Sequence, residues 1–435
     1  MGRRPHVLVV PFPAQGHVMP LMKLSHRLVS RGIKVTFVTT EFIKAQFMAA
    51  SPEKCEESDR IHLVSVPDGL EPGDDQNDLI KLIKTIPRIM EGHLEDIIRK
   101  INKSDDEQIS CVIVDTTIGW ALDVPVKMGI KRATYYPSPP AFLALNLKIP
   151  KLIEDGIINN NGKTYYGNLC CYRGTNKKNE MALSLSLTNN HAVKVSNWVL
   201  CNSFYELDPL LHDLIPNLLP IGPLLSSNRL EQPSGSFWPE DSTCLSWLNK
   251  QPARSVIYVA FGSIAIFNQH QFDELALGLE LVGLTFLWVV RSDHAVYPDG
   301  FRDRVAHHGK IVKWVPQQKV LAHPSIACFF THCGWNSIMD GLSMGVPFIG
   351  WPYFSDHFYI KRCICDVWKV GLGLDPEEDG IVSRHQIKSK VENLLHDEGI
   401  RVNVLKMKEI ARQAVSDGGS SSKNLQEFIK EIMTL

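Results

Sequence analysis

Short buried strands alternate with helical stretches in both halves of the chain, and this alternation constrains the fold more than any other feature. Residues 6–11 form an apolar run typical of a buried strand, and residues 33–39 form the next one. Leucines recur between them at helical spacing, which predicts a helix with Pro20 at its first position and an end at Gly32. A strand–helix–strand unit of this kind has parallel strands and a right-handed crossover. Residues 111–115 are predicted as a later strand of the same sheet.

The second half of the chain repeats the pattern. A strand begins at residue 255, a helix follows around residues 271–281, and a further strand covers 286–290. A segment rich in proline, serine and glycine separates the halves and has the composition of a linker. A chain of 435 residues is too long for one core and fits two domains. The predicted parts are an N-terminal domain over 1–225, a linker over 226–248, a C-terminal domain over 249–415 and a last helix over 416–435.

Charge and cysteine usage narrow the choice of partners and compartment. The chain has 46 basic and 47 acidic residues and a net charge of -1, so its charge does not favour nucleic acid or an anionic membrane as a partner. Its 10 cysteines form no paired C-x-x-C array, which favours reduced thiols over a disulfide framework or a zinc site. No apolar run reaches the roughly 18 residues of a membrane span, and the N-terminal apolar stretch is too short for a signal peptide. We therefore expect a cytoplasmic protein without a membrane span.

Residues 314–357 carry the pattern of a nucleotide-sugar site. Trp314 offers an aromatic plane for a base, and the small polar residues that open a helix after the strand at 326–330 suit a diphosphate. Asp340, one helical turn further on, suits the diol of a ribose, and the closing Asp356-His357 pair suits the hydroxyls of a sugar. The stretch as a whole therefore favours binding of a nucleotide-sugar.

Each part of this stretch also has a purely structural interpretation. A buried strand that enters a tight turn occurs in any α/β protein, and His332 at such a turn is more often a structural histidine than a ligand. Gly334, Asn336 and Ser337 taken alone are typical of a capped helix start. The occurrence of all the parts together, in order, favours the nucleotide-sugar interpretation.

The stretch closely resembles the signature box of the plant UDP-dependent glycosyltransferases of small molecules, glycosyltransferase family 1. That box has the same length, a Trp at its start, the letters HCGWNS in its middle and usually Asp-Gln at its end. The resemblance implies an α/β protein of the GT-B fold, with two Rossmann-like domains that face each other across a cleft. The C-terminal half would hold the donor, the N-terminal half the acceptor, and the last helix would return to the first domain.

The resemblance also implies an enzyme of plant secondary metabolism, a hexosyl- or pentosyltransferase. It would move a sugar from a UDP-sugar to a hydroxyl of a small lipophilic acceptor such as a flavonoid, a phenol or a terpenoid. Two alternatives stay open, a catalytically silent UDP-sugar-binding protein and a nucleotide-sugar epimerase of the same fold. A nicotinamide dehydrogenase is disfavoured because no G-x-G-x-x-G follows either first strand.

Two titratable residues occupy positions in the N-terminal half where open parallel sheets bind ligands. His17 lies in the loop after the first strand, and Asp115 closes the strand at 111–115. Sugar transfer to an alcohol needs a base for the hydroxyl proton, and imidazole suits that work at neutral pH. A carboxylate on the far ring nitrogen would fix the tautomer, as in a Ser-His-Asp triad. The resembled family has a His and an Asp at these places in these roles, although Asp115 could alternatively be only a helix N-cap.

The resemblance assigns the donor contacts residue by residue. Trp314 would stack on uracil with the backbone of Val315 at the base edge and Gln317 near the ribose. Neutral side-chain donors and the N-terminus of a helix would bind the diphosphate without a metal or other cofactor. The complete set of expected UDP-sugar contacts is Ser263, Trp314, Val315, Gln317, His332, Trp335, Asn336, Ser337, Asp340, Asp356 and His357.

Two of these residues depart from the family pattern. Asp340 stands where the family usually has Glu, so its shorter side chain would loosen the ribose contacts modestly. His357 replaces the usual closing Gln, which is associated with glucose donors, whereas His occurs among members that prefer galactose or arabinose. The donor is therefore glucose, or galactose or arabinose given His357.

The acceptor side is less constrained by the sequence. Direct displacement would invert the anomeric centre through an oxocarbenium-like state. We expect a monomer, and we expect apolar residues near the strand ends of the N-terminal half to line the acceptor pocket. The candidates are Phe12, Trp120, Pro140, Phe142 and Leu143.

Overall fold

The computed structural model describes most of the chain, and contact between its residues divides the chain into two compact units. Unit 1 comprises Met1–Trp238 and Ala414–Leu435, and unit 2 comprises Pro239–Gln413. For residues 163–164, 167–168 and 176–182 the description covers the backbone alone. The described residues are 4–50, 61–71, 73–75, 78–103, 108–159, 163–164, 167–168, 176–225, 239–291 and 296–434.

Unit 1 contains a seven-stranded sheet in which all neighbouring strands are parallel. Its strands follow the order β3-β2-β1-β4-β5-β8-β9, and β6 and β7 form a separate antiparallel pair. The strands are β1 His6–Val10, β2 Lys34–Thr40, β3 Ile61–Val66, β4 Ile109–Asp115, β5 Lys131–Tyr136, β6 Lys163–Thr164, β7 Gly167–Asn168, β8 Trp198–Cys201 and β9 Leu218–Pro220. The α-helices are α1 Gln15–Ser30, α2 Glu41–Ala50, α3 Leu79–Ile101, α4 Asp123–Lys127, α5 Pro140–Glu154 and α6 Asn176–Val195. Short 3-10 helices cover Thr116–Leu122, Tyr205–Leu207 and Pro209–Asp213.

Helix α1 begins earlier than the sequence predicted. Pro20 was expected at its first position, but the helix starts at Gln15 and Pro20 lies inside it. A proline there lacks the N–H that would bond the carbonyl four residues before it. The burial of Val18, Pro20 and Leu21 in the core outweighs this loss. The predicted end was right, because Gly32 has a φ of 86° and closes the element directly after the helix.

Both faces of the first sheet are covered by helices. Val7 and Val9 of β1 pack into the cluster that includes α1, whereas Leu8 and Val10 pack into the cluster that includes α3. This alternation follows from the period of two along a strand. A strand buried on both faces must be apolar at every position, which explains why the run at 6–11 was easy to recognise.

Unit 2 contains a six-stranded parallel sheet of order β12-β11-β10-β13-β14-β15. Its strands are β10 Val256–Ala260, β11 Thr285–Val289, β12 Gly309–Val312, β13 Ile326–Thr331, β14 Phe348–Gly350 and β15 Gly371–Gly373. Its helices are α7 Thr243–Leu248, α8 Gln269–Val282, α9 Phe301–Val305, α10 Gln317–Leu321, α11 Trp335–Met344, α12 His357–Arg362, a π-helix at Cys363–Val367, α13 Arg384–His396 and α14 Glu398–Val415. The last two residues of α14 belong to unit 1.

The predicted linker over 226–248 differs from the structure in its second part. Residues 226–238 lie outside the described residues. The remainder belongs to unit 2, where α7 buries Cys244 and Leu248 and the backbone N–H of Asp241 donates to the carbonyl of Trp314. The apolar residues at helical spacing within 243–248 thus form a helix, although the preceding proline- and serine-rich composition is typical of a linker.

The final helix, α15 (Ser420–Met433), packs within unit 1. Its Phe428 is completely buried and makes an edge-on contact with Trp198 of β8, at 5.3 Å between ring centroids. Asn424 donates a hydrogen bond of 2.8 Å to the carbonyl of Pro220 in β9. None of the helices in the described part of the chain is long and apolar enough to cross a membrane.

Each sheet has a point where the strand order reverses direction. In unit 1 it lies between β1 and β4, and in unit 2 between β10 and β13. At such a point the loops that leave two adjacent parallel strands diverge, which opens a crevice at the carboxyl ends of the strands. Ligands of open α/β sheets bind there, so these two positions are the first places to look for a site.

Candidate active site

The reversal point of unit 1 brings together the two residues predicted for catalysis. His17 lies in the first turn of α1, directly after β1, and Asp115 is the last residue of β4. His17 Nδ1 lies 2.8 Å from Asp115 Oδ2. Asp115 is completely buried, whereas the His17 side chain is 23% exposed. The pair therefore has an inner carboxylate and an outer imidazole that solvent or a ligand can reach.

The second carboxylate oxygen of Asp115 has a different partner. Oδ1 accepts a hydrogen bond of 2.8 Å from the backbone N–H of Thr117, so that Asp115 caps the 3-10 helix at Thr116–Leu122. The capping role and the role beside His17 are therefore compatible, one on each oxygen. Because a carboxylate only accepts, Nδ1 of His17 carries the proton and Nε2 of the neutral ring is an acceptor.

The residues predicted for the acceptor pocket have different surroundings. Phe12 is buried and its ring lies 5.2 Å from that of His17 in an edge-on contact. Trp120 is half-buried in the 3-10 helix that Asp115 caps. Pro140, at the start of α5, is buried, and Phe142 and Leu143 belong to the hydrophobic core beneath that helix. Leu143 is 0% exposed, so its side chain belongs to the core and offers no surface to a ligand.

The reversal point of unit 2 holds the turn between β13 and α11. His332 follows the strand, Cys333 adopts a φ of 67°, and Gly334 is the N-cap of α11 without a side-chain cap. The sequence pattern favoured Asn336 or Ser337 as the capping side chain, but both lie inside the first turn of the helix. The N-terminal N–H groups of α11 are thus at the end of this turn, which is the arrangement that binds anions.

Two glycines make room for the imidazole of His332. A Cβ atom on Gly334 would lie 2.3 Å from His332 Nε2, and one on Gly262 would lie 2.5 Å from it. Gly262 follows β10, across the reversal point from β13, and has a φ of 68°. The ring therefore lies between two backbone segments, and a side chain larger than that of glycine at either position would collide with it.

His332 and His357 form a pair of neutral imidazoles. Their ring centroids are 5.0 Å apart with the rings nearly perpendicular. Burial lowers the pKa of His332 to about 4, with a smaller contribution from the charge of Arg291. Burial also lowers the pKa of His357 well below its ordinary value, and proximity to His332 adds to that effect. Each ring is therefore neutral at pH 7 and offers one donor and one acceptor.

A hydrogen-bonded group links the start of α10 to α11. Gln317 Nε2 donates to Ser337 Oγ at 3.3 Å and to Asp340 Oδ2 at 3.0 Å. Gln318 Nε2 donates to Asp340 Oδ1 at 2.5 Å, and the hydroxyl of Tyr258 donates to Gln317 Oε1 at 3.4 Å. The structure thus brings three of the predicted donor contacts together, Gln317, Ser337 and Asp340.

The remaining predicted donor contacts lie in the same unit. Trp314 is half-buried just after β12, and Val315 beside it is buried. Trp335 is the first residue of α11 and is buried beside Trp368, so its ring serves the packing of unit 2. Asn336 is half-buried in the first turn of α11. Asp356 is buried at the N-cap of α12, directly before His357.

Arg291 is a site residue that the sequence did not indicate. Its guanidinium donates to the carbonyls of Ser263 and Ala265, at 2.5 and 2.9 Å, and thereby fixes the loop after β10. Burial lowers its pKa below the ordinary value. No pattern in the sequence indicates this contact, because it joins a side chain that follows β11 to backbone atoms of a different loop. Within the described residues, no group of three or more His, Cys, Asp or Glu side chains is arranged to hold a metal ion.

Two family profiles match this chain, one in its N-terminal part and one over more than half of its length. Residues 171–415 match the profile of the family described as UDP-glucoronosyl and UDP-glucosyl transferase, and residues 5–59 match that of a glycosyltransferase N-terminal domain. The chain is 39% identical to UDP-glycosyltransferase 83A1 of Arabidopsis thaliana over 99% of its own length and 97% of that protein. The chain belongs to the plant UDP-glycosyltransferase family. It is a transferase enzyme of the GT-B fold class, as the sequence predicted.

Solved structures of relatives have the same fold. Os79 of O. sativa in complex with UDP superposes with a TM-score of 0.85 at 25% identity, covering 98% of this chain and 100% of that one. UGT2 of Phytolacca americana, complexed with UDP-2fluoro-glucose and pterostilbene, superposes with a TM-score of 0.80 at 27% identity, covering 98% and 99%. The predicted family and the predicted class of function, sugar transfer from a UDP-sugar to a small molecule, are therefore confirmed.

Proposed function

We propose that this UDP-glycosyltransferase inverts the anomeric centre of the sugar that it transfers, with His17 as the general base and Asp115 as the group that orients it. The observation that carries the proposal is the 2.8 Å contact between His17 Nδ1 and the buried Asp115 Oδ2 at the reversal point of the first sheet. The buried carboxylate holds the partly exposed imidazole in one orientation, which is the arrangement that a general base needs.

The proton path follows from the tautomer. Nδ1 donates to Asp115, so Nε2 accepts the proton of the acceptor hydroxyl as its oxygen attacks the anomeric carbon. The ring becomes an imidazolium, which the buried carboxylate stabilises. The bond from the anomeric carbon to the diphosphate oxygen breaks in the same displacement, and UDP leaves with the electron pair. A single displacement of this kind inverts the anomeric configuration.

The proposed donor contacts in unit 2 support the part of the proposal that concerns the leaving group, UDP. The N-terminus of α11 provides aligned N–H groups, and His332 beside it is a neutral hydrogen-bonding group. Fixed dipoles of this kind stabilise the negative charge that develops on the departing diphosphate, so the proposed step requires no metal or other cofactor. Trp314 would stack on the uracil, and Asp340 would accept from the ribose diol.

For the donor sugar we propose glucose, or galactose or arabinose through His357. This residue is buried, and its Nδ1 has no hydrogen-bond partner within the described part of the chain. An unpaired buried ring nitrogen costs free energy until a ligand hydroxyl bonds to it, so it can select among sugars. We propose that the acceptor group is a hydroxyl of a flavonoid, a phenol or a terpenoid. We also propose that the protein is a monomer and that it is located in the cytoplasm.

The test is incubation of the purified protein with UDP-glucose, UDP-galactose and UDP-arabinose and a mixed set of phenolic and terpenoid acceptors. Mass spectrometry should detect an acceptor whose mass has increased by one sugar. NMR of the product should show the anomeric configuration opposite to that of the donor used, for example a β-linkage from α-linked UDP-glucose. A product that retains the anomeric configuration of its donor would refute the single displacement. Binding of UDP-sugar without transfer to any acceptor would favour the silent binding protein, and interconversion of the UDP-sugars alone would favour the epimerase.

A further inference from the structure

Asp340 is held by two consecutive glutamine side chains. The amide of Gln317 donates to Oδ2 at 3.0 Å and the amide of Gln318 donates to Oδ1 at 2.5 Å. Asp340 is 6% exposed and lies on α11, whereas the two glutamines are the first residues of α10. Each oxygen of the carboxylate thus has its own donor from a neighbouring helix.

We propose that Gln318 is a positioning residue for recognition of the donor's ribose, an inference that rests on the function proposed above. A carboxylate can accept about four hydrogen bonds, so it can bond to two amides and to the two hydroxyls of a ribose at once. Its terminal torsion has a broad energy minimum, and a carboxylate held at one oxygen can turn about it. Donors on both oxygens fix the plane of the carboxylate and therefore the direction of its remaining lone pairs.

The second amide matters because of the residue at position 340. The signature box that this stretch resembles usually has Glu there, and Asp is one methylene shorter. Gln317 bonds to Ser337 and Tyr258 as well as to Asp340. Gln317 bonds to one oxygen of the carboxylate, so Gln318 on the other oxygen adds an orientation that Gln317 alone does not give. The loosening of the ribose contacts expected from the sequence is offset in this way.

The test compares binding of UDP and of 2′,3′-dideoxy-UDP by calorimetry in the wild type and in Gln318→Met. Loss of one hydrogen bond of ordinary strength weakens binding by about three- to tenfold. We expect a loss of this size for UDP and almost none for the dideoxy nucleotide, which has no diol to orient. A purely structural role for Gln318 would weaken both nucleotides equally, and that result, or no change in either, would overturn the inference.

Three controls make the outcome specific. Gln413 also donates from its amide to a carboxylate, that of Glu409 at 2.8 Å, but on the exposed surface of α14, so Gln413→Met should change neither constant. In an Asp340→Asn background the further change Gln318→Met should leave the ratio of the two constants unaltered, because its effect acts through Asp340. Should Gln318→Met fail to fold, Gln318→Asn shortens the amide and must lower the same ratio.

The design separates this inference from the function on which it rests. If the wild type binds both nucleotides equally, the ribose role of Asp340 is wrong and the inference falls with it. If the wild type prefers UDP and Gln318→Met retains the full preference, the donor site stands and the role of Gln318 alone is rejected.

Discussion

Asp115 uses its two carboxylate oxygens for different purposes. One oxygen bonds to His17 and the other caps a 3-10 helix through Thr117. The same side chain thus serves the proposed catalytic pair and the cap, and a single substitution to alanine removes both contacts. Serine retains the ability to cap but has no carboxylate to pair with an imidazolium.

This division predicts different results for two substitutions. Asp115→Ala should lower kcat and also lower the free energy of unfolding by about 1 kcal/mol, the usual cost of a lost cap. Asp115→Ser should lower kcat by a similar factor while its stability stays close to that of the wild type. Both variants should lose less activity than His17→Ala, for which we expect a decrease of about 10²–10⁴-fold. Turnover and thermal unfolding of the two variants check this, and full activity of Asp115→Ser would contradict the orienting role.

The proposed role of His357 in the choice of donor sugar also belongs to the scale of a single residue. Its ring is buried and neutral, and it offers one donor and one acceptor at fixed positions. An amide at the same place would present its donor and acceptor in a different geometry, so it would reach different sugar hydroxyls. We expect the wild type to use UDP-galactose or UDP-arabinose measurably.

The corresponding substitution is His357→Gln. The ratio of kcat/KM for UDP-glucose to that for UDP-galactose should rise by about fivefold or more, because a mismatched hydroxyl leaves a buried polar group unpaired. Competition between the two donors in one reaction, with the products separated by chromatography, measures this ratio directly. If the wild type accepts UDP-glucose alone and the substitution leaves the ratio unchanged, His357 has no part in the choice of sugar.

At the scale of elements, the turn from β13 into α11 depends on a glycine. Gly334 has an ordinary φ of -65°, so alanine is compatible with the backbone there. The added Cβ would nevertheless lie 2.3 Å from His332 Nε2, and the ring would have to move. The added methyl group therefore conflicts with the imidazole of His332, the proposed diphosphate contact, and not with the backbone of α11.

Gly334→Ala should consequently cost more free energy in the binding of UDP than in the unfolding of the protein. Overpacking of this kind costs about 1–3 kcal/mol, which corresponds to about five- to a hundredfold in affinity if binding carries the whole cost. Calorimetry with UDP and a thermal melt check the prediction. Gly92→Ala is the matched control, since a Cβ there meets nothing within 4 Å inside α3. Equal UDP affinity in Gly334→Ala and the wild type would show that His332 does not need its observed position.

The sequence predicted some elements well for a physical reason. Strands buried on both faces are apolar at nearly every position, so β1, β4, β10 and β13 were recognisable. The carboxyl ends of β1 and β4 pointed to His17 and Asp115. The start of α1 was missed because Pro20 suggested a first position, and tertiary packing overrode that local preference.

Contacts between distant residues could not be predicted in the same way. Gln318 and Arg291 act on residues in other elements, and nothing in the spacing of the sequence indicates which carboxylate or carbonyl a long polar side chain will reach. The bounds of the linker were likewise set by how α7 packs in unit 2. The signature box predicted the donor contacts, but the hydrogen bonds that hold these side chains became visible only in the fold.

At the scale of the whole molecule, the proposed catalytic pair and the proposed donor contacts belong to different units of the chain. His17 and Asp115 are part of unit 1, whereas the residues from Ser263 to His357 are part of unit 2. Unit 1 also includes the final helix α15. Chemistry and donor binding should therefore be separable by substitution, because removal of the base leaves every proposed contact of the nucleotide intact.

The most direct test is the substitution His17→Ala, measured for both transfer and UDP binding. Transfer to an alcohol of ordinary pKa should fall by about 10²–10⁴-fold, while the dissociation constant of UDP stays unchanged. His191 provides a matched control, since its Nε2 lies 2.8 Å from Asp123 Oδ1 in an exposed pair of the same unit, and His191→Ala should transfer normally. Turnover of His17→Ala within a few-fold of the wild type on such an alcohol would contradict the assignment of His17 as the base.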